Sequence, residues 1–134
     1  MVQISGKYEP VENVNFYEFL VKMGIPEAKA KVGNERKSAF EVAVDGDKIR
    51  FISGINNKTT ELVLGKEVEE TLPMDIKVKS VAKLDGNVVT IESKKPEENF
   101  GGRRILTFTD SGLEMKIIVD KEGVPEAKRV YKRI

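Results

Sequence analysis

Cysteine and histidine are both absent from these 134 residues. Without cysteine there is no disulfide and no thiolate to act as nucleophile or metal ligand, although the redox compartment stays open. Without histidine the commonest general base and metal ligand is gone, and Ser–His and Cys–His catalysis with it. Paired carboxylates are left, but no pair stands out among the 22 scattered Asp and Glu residues. Neither an enzyme nor a bound metal or cofactor is therefore expected. Charge of one sign is lacking too: 23 Lys and Arg against those 22 acids leave a net charge of +1, no field to draw in nucleic acid. No apolar run approaches the roughly 20 residues of a membrane-spanning helix, and "MVQISGKYEP" lacks the apolar core of a signal peptide. The expected location is the cytoplasm.

The residues present, 40% hydrophobic and 34% charged, suit one globular domain over 1–134. Turn signals recur at short intervals: "DGDK" (Asp45–Lys48), "LGKE" (Leu64–Glu67), "LPMD" (Leu72–Asp75), "LDGN" (Leu84–Asn87), "TDSG" (Thr109–Gly112) and "DKEG" (Asp120–Gly123). Between them lie "FEVAV", "KIRFIS", "TTELVL", "IKVKSVAKL", "NVVTIES", "RRILTFT" and "LEMKIIV", rich in Val, Ile, Thr and Phe and often alternating. With one strand at each end, this spacing predicts an antiparallel up-and-down β-barrel.

One segment departs from that pattern. In "NVNFYEFLVKMGIPEAKAKVG", Phe16, Phe19, Leu20 and Met23 recur at helical spacing. Asn15 is placed to cap a helix, with Glu18 in the capping-box position, and Gly24 to close it. Pro26 opens a second helix that continues to about Val32. This pair falls between the first strand and the rest. A barrel of ten strands is wider than its side chains fill, so a cavity is expected, with the helices over its mouth. The alternative is a solid barrel that the helices merely plug.

The closing strand, "RVYKRI", has no clean apolar side. Arg129, Tyr131 and Arg133 share one face; Val130, Lys132 and Ile134 share the other. Either the arginines are solvated and the valine buried, or Arg129 and Tyr131 point inward, where a buried cation needs a partner.

In order and spacing these pieces resemble the intracellular lipid-binding proteins, the fatty-acid-binding protein family of the calycin superfamily. The resemblance is carried by Gly6 and Tyr8 in "SGKYEP", by "NFYEFLVKMGIP", "DGDKIRF", "KTTELVLGKEVEET" and "KVKSVAKLDGN", and by the final "RVYKRI". It implies a ten-stranded clam-shaped barrel with a two-helix lid, holding lipid in an internal cavity. Arg129 and Tyr131 match the family's Arg-x-Tyr pair, which in many members holds the ligand carboxylate. Phe16, Leu20, Met23, Phe51, Leu62, Leu106, Phe108 and Met115 become candidate lining, each equally readable as ordinary core. Ala28, Val32, Ile55, Asn57, Met74 and Ile76 fall around the portal implied by the lid and two turns.

Four departures bear on the cargo. Many members carry a second interior arginine where Leu106 stands here, so either Arg104 supplies that cation from two residues earlier or Arg129 is the sole interior arginine. A portal aromatic common in the family is replaced by Asn57. The last hairpin is about three residues longer than usual. Pro10 stands in the first strand, at a bend or an edge.

The function implied is a carrier that binds a long-chain fatty acid and exchanges it with membranes or protein partners. Alternatives are the same barrel carrying a bile acid, retinoid or other bulky lipid, and an interaction module with a vestigial cavity. Transient membrane contact through Lys22, Lys29 and Lys31 and a monomeric state complete the expectations.

Overall fold

The computed structural model describes residues 4–22, 24, 26–35, 39–53, 59–72, 76–95, 100–120 and 122–134. Strand β1 spans Gly6–Val14, and helices α1 (Phe16–Lys22) and α2 (Glu27–Glu35) follow it. Then come β2 (Phe40–Asp45), β3 (Lys48–Ser53), β4 (Thr59–Val63), β5 (Glu67–Leu72) and β6 (Ile76–Asp85). The chain ends with β7 (Val88–Lys95), β8 (Phe100–Phe108), β9 (Gly112–Val119) and β10 (Ala127–Arg133). The ten strands form one antiparallel sheet in the order β4-β3-β2-β1-β10-β9-β8-β7-β6-β5. Pairing of β1 with β10 joins the two halves of the meander and curls the sheet into a nearly closed barrel. Strands β4 and β5 stand at the two ends of that order. Among the described residues, Leu64, just after β4, bridges to Ala82 on β6, and Gly65 N–H donates to the Ala82 carbonyl at 2.9 Å.

Hairpin turns set the registers. Asp45 pairs with Lys48 and Asp85 with Val88, so the two-residue loops are Gly46-Asp47 and Gly86-Asn87. Both glycines have positive φ, 61° and 63°, the first central position of a II′ turn, which suits the right-handed strand twist. Asn87 adds a clasp, its side-chain amide donating to the Phe108 carbonyl at 2.8 Å.

Four sequence expectations are refined. Strand β5, "EVEETL", is absent from the apolar runs because three of its six residues are Glu. Helix α2 runs to Glu35, beyond Val32. Asn15 does precede α1, and its carbonyl accepts from Phe19 N–H at 2.9 Å, but its φ is +56°. That is the left-handed region asparagine tolerates, not extended capping geometry. Of the two readings of Pro10, a bend or an edge, the bend holds: the β1–β10 register shifts between Pro10 and Glu12, within the sheet. The β1–β2 ladder stops at Tyr8↔Phe40, so the amide hydrogen that proline lacks is not needed there.

The core is the inward face of the strands. Tyr8, Val42, Ile49, Leu62, Val89, Leu106, Phe108 and Leu113 are each at most 2% exposed and form one cluster. Tyr8 anchors its chain-terminal end: its hydroxyl donates to the Ile4 carbonyl at 2.7 Å, and its ring meets Phe108 edge-on at 5.6 Å. The Arg133 guanidinium lies 5.1 Å from the Tyr8 ring centre and donates to the Ser5 carbonyl at 3.1 Å, closing this end of the barrel.

Candidate functional site

The two faces of β10 separate cleanly. Lys128 and Lys132 point outward, toward Glu114 at 3.9 Å and Glu9 at 3.6 Å. Ala127, Arg129, Tyr131 and Arg133 share the other face, which is the interior, since Ala127 and Tyr131 are buried and Tyr131 belongs to the core cluster. The plain reading of "RVYKRI", with valine in and arginine out, is thereby excluded.

Arg129 is half-buried and held on two sides. Its Nε donates to Asn13 Oδ1 at 2.8 Å, and its guanidinium carbon lies 4.5 Å from the centre of the Phe16 ring on α1. The ring of Tyr131 is 5.5 Å away. Tyr131 in turn meets Phe40 edge-on at 5.0 Å. Burial pushes the Tyr131 phenol above its ordinary value, and the nearby Arg129 charge offsets only part of that. The hydroxyl is therefore a neutral donor at physiological pH.

Asn13 reaches this site through a β-bulge. Pro10 lies opposite Tyr131 and Glu12 opposite Val130, so Val11 is an extra residue in β1. Simple alternation from Tyr8 would turn Asn13 outward. The extra residue turns it inward, directly opposite Arg129. Sequence reasoning missed Asn13 for this reason; Pro10 was the only available signal of the irregularity.

Arg104 shares the inward face of β8 with Leu106 and Phe108 and is half-buried, whereas Arg103 beside it is exposed. It pairs with Ile117, which pairs with Ala127, so it stands one inward position nearer the lid than Arg129. The β8 residue level with Arg129 is Leu106, through Met115. A second polar feature on this wall was also missed. Ser80 and Ser93 face each other across β6 and β7 with their hydroxyls 2.7 Å apart, and Ser80 is fully buried.

Of the candidate lining, Leu62, Leu106 and Phe108 lie within the core cluster and Phe51 and Met115 pack against it. Phe16 and Leu20 are half-buried on α1. Ala28 and Val32 are exposed on α2, and Ile76 begins β6 opposite Leu72. Met23, Ile55, Asn57 and Met74 lie outside the described residues.

An up-and-down barrel with a helix pair after its first strand and an arginine on its inner wall defines the β-clam class of lipid-binding protein. Comparison with known proteins agrees. The profile of the lipocalin / cytosolic fatty-acid binding protein family matches residues 5–133, and the chain belongs to that family. A fatty-acid-binding protein of Lepidoglyphus destructor is 32% identical over 136 residues, covering 99% of each chain. Retinol-binding protein 1 of Homo sapiens is 30% identical, covering 99% of this chain and 98% of that one. Among solved structures, the fatty-acid-binding protein in brain tissue of Drosophila melanogaster superposes with a TM-score of 0.79 at 30% identity, covering 94% of this chain and 95% of the other. Membership places the protein among intracellular lipid-binding carriers, not enzymes. No helix among the described residues is long and apolar enough to cross a membrane.

Proposed function

We propose that the protein is a cytoplasmic carrier of long-chain fatty acids, with the ligand carboxylate held by Arg129 and Tyr131. The observation that carries this reading is the half-buried guanidinium of Arg129 on the inner face of β10, beside the neutral phenol of Tyr131. A guanidinium meets a carboxylate with paired charge-assisted hydrogen bonds, and a phenol adds one more donor. The acyl chain supplies most of the affinity. At roughly 0.8 kcal/mol per buried methylene, some fourteen methylenes offer about 11 kcal/mol before association costs of several kcal/mol. Arg129 selects the head group. Arg104, nearer the lid, is a second cation within reach of the same cavity. Ala28 and Val32 on α2 lie at the portal, with transient membrane contact through the lid lysines, and the carrier works as a monomer.

Arg129→Ala is expected to weaken binding of palmitic acid clearly more than that of 1-hexadecanol, measured by displacement of a fluorescent lipid. Equal losses for both would remove Arg129 from the head-group site. A second reading, a retinoid or other bulky lipid as cargo, is favoured by Leu106 on the Arg129 level and by the likeness to retinol-binding protein 1. A panel of fatty acids, retinoids and bile acids competing for the delipidated protein separates the two. Failure of native mass spectrometry to find any lipid, bound or taken up, would favour an interaction module instead.

A further inference from the structure

The wall formed by β6, β7 and β8 carries polar side chains away from Arg129 and Tyr131. Along β6, Val78, Ser80 and Ala82 are buried while Lys77 and Lys79 are exposed, so Ser80 points inward. Along β7, Val89 and Ile91 are buried while Glu92 and Lys94 are exposed, so Ser93 points the same way. Their hydroxyl oxygens lie 2.7 Å apart across the strand pair. Ser80 is fully buried, whereas Ser93 is half-buried. A hydroxyl has one proton and two lone pairs, and the bond to Ser80 occupies one of these on Ser93. That bond fixes the Ser93 oxygen and leaves it able to donate or accept again. Directly opposite Ser93 on β8 stands Gly102. A Cβ there would come within 2.9 Å of the Ile118 carbonyl oxygen, so β8 sets no side chain over the hydroxyl. Half-buried Arg104, one inward position further along β8, keeps this stretch of wall polar.

A plain acyl chain passing this wall leaves the Ser93 oxygen facing methylenes, whereas a chain with its own oxygen there gains a hydrogen bond. Val89 is level with Arg129, through Leu106 and Met115. Ser93 lies beyond Val89 on the same strand, roughly 13 Å nearer the lid. It also stands three strands around the wall from β10. An oxygen that reaches it is therefore well down the chain from a carboxylate at Arg129. We infer that Ser93, held by Ser80, is a second polar subsite, and that it takes the hydroxyl of a fatty acid hydroxylated in the middle or distal part of its chain. The subsite rests on the carboxylate reading of Arg129, which fixes where along the chain it falls.

The test is displacement of a fluorescent fatty-acid analogue from delipidated wild type, Ser93→Ala and Ser93→Thr by stearic, 2-hydroxystearic and 12-hydroxystearic acids. Ser93→Ala is expected to lower affinity for 12-hydroxystearic acid by about three- to tenfold, the scale of one hydrogen bond, and that for stearic acid by less than about twofold. 2-Hydroxystearic acid, whose hydroxyl sits beside the carboxylate, is expected to follow stearic acid. Ser93→Thr, which keeps the hydroxyl, is expected to preserve the wild-type ratio of 12-hydroxystearic to stearic affinity. A serine that merely supported the fold would change all three affinities together. If that ratio in Ser93→Ala stays within about twofold of wild type, or if 2-hydroxystearic acid loses as much as the 12-isomer, the subsite is overturned and the carrier reading stands. Should Arg129→Ala cost stearic acid and 1-octadecanol equally, the carboxylate reading falls and the placement of the subsite with it. If Ser93→Ala fails to fold, wild type decides. 12-Hydroxystearic acid bound within about fivefold of stearic acid supports the subsite, and a larger deficit, the cost of burying a hydroxyl without a partner, overturns it.

Discussion

The two ends of the barrel interior are built from the same strands but are packed to different purposes. At the chain-terminal end, Tyr8, Val42, Ile49, Leu62, Phe108 and Leu113 interdigitate with almost no exposure, and Arg133 is folded flat over Tyr8. At the lid end, the inward positions of β8 and β10 hold Arg104 and Arg129, both half-buried, and Phe16 reaches down from α1. Alternation along one strand thus leads from closed core to polar site: Phe108, Leu106, Arg104 on β8, and Arg133, Tyr131, Arg129 on β10. The same side-chain type does opposite work at the two ends of β10. Arg133 is held by a carbonyl and an aromatic face at the closed end, whereas Arg129 takes a side-chain amide and the Phe16 ring of α1 at the lid end.

The largest effect expected from breaking this contrast is on stability at the closed end. Phe108 is fully buried against Tyr8, and Phe108→Ala leaves a void the rigid strands cannot collapse to fill. It should cost about 3–5 kcal/mol, read as a fall in the denaturant midpoint at constant slope. The acid-to-alcohol preference of the surviving folded protein should be unchanged. A loss below about 1 kcal/mol would mean that this end is not close-packed.

Arg129→Met is the counterpart at the lid end. It removes a half-buried charge and keeps volume, so stability should hold or rise. Fatty acid affinity should fall by about tenfold or more, since charge-assisted bonds contribute roughly 1.5–3 kcal/mol. Calorimetric titration with palmitic acid beside a denaturant melt reads both. A variant as destabilised as Phe108→Ala would show that Arg129 is structural after all.

A third test uses the two buried phenols. Burial raises the pKa of both Tyr8 and Tyr131 above the ordinary 10.0, against opposing pulls from Arg133 and Arg129. The unfolded chain therefore ionises first as pH climbs. The stabilisation is fully present below about pH 10 and is lost as pH rises from there toward the folded-state values. Denaturant midpoints measured from pH 8 to 11 should be flat and then decline. Tyr131→Phe should shallow that decline, while an unchanged slope would show that Tyr131 is hydrated in the fold.

These contrasts also mark what the sequence made legible. The barrel was readable because turn residues and β-branched runs alternate at strand spacing, and because Phe16, Phe19 and Leu20 keep helical spacing. The inward direction of Arg129 was not readable from alternation, since β10 carries charged residues on both faces; it came from resemblance, and Glu9 and Glu114 outside show why Lys132 and Lys128 belong there. Asn13 was hidden because an inserted residue leaves no mark on composition, only on register. Strand β5 was hidden because its glutamates break the apolar alternation, and Ser80–Ser93 because two serines 13 residues apart become a pair only once β6 and β7 are in register.

The smallest effect comes from another arginine, outside the barrel. Arg50 on β3 donates from Nε to Glu61 on β4 at 2.7 Å, the same donor atom and nearly the same distance as Arg129 to Asn13. The hydrogen bond to Arg50 holds the Glu61 carboxyl below its usual range. Both side chains are about two-fifths exposed, so water and salt screen the pair. By linkage its contribution exists only above the unfolded carboxylate pKa and is lost as pH falls through the lower folded value. Arg50→Gln with Glu61→Gln should leave the denaturant midpoint at pH 7 and physiological salt unchanged within error, with a small loss emerging only at low ionic strength. The two hydrogen bonds share a donor atom and nearly a distance, so a change there as large in free energy as the affinity loss in Arg129→Met would show that location inside or outside the barrel does not set what an arginine contributes.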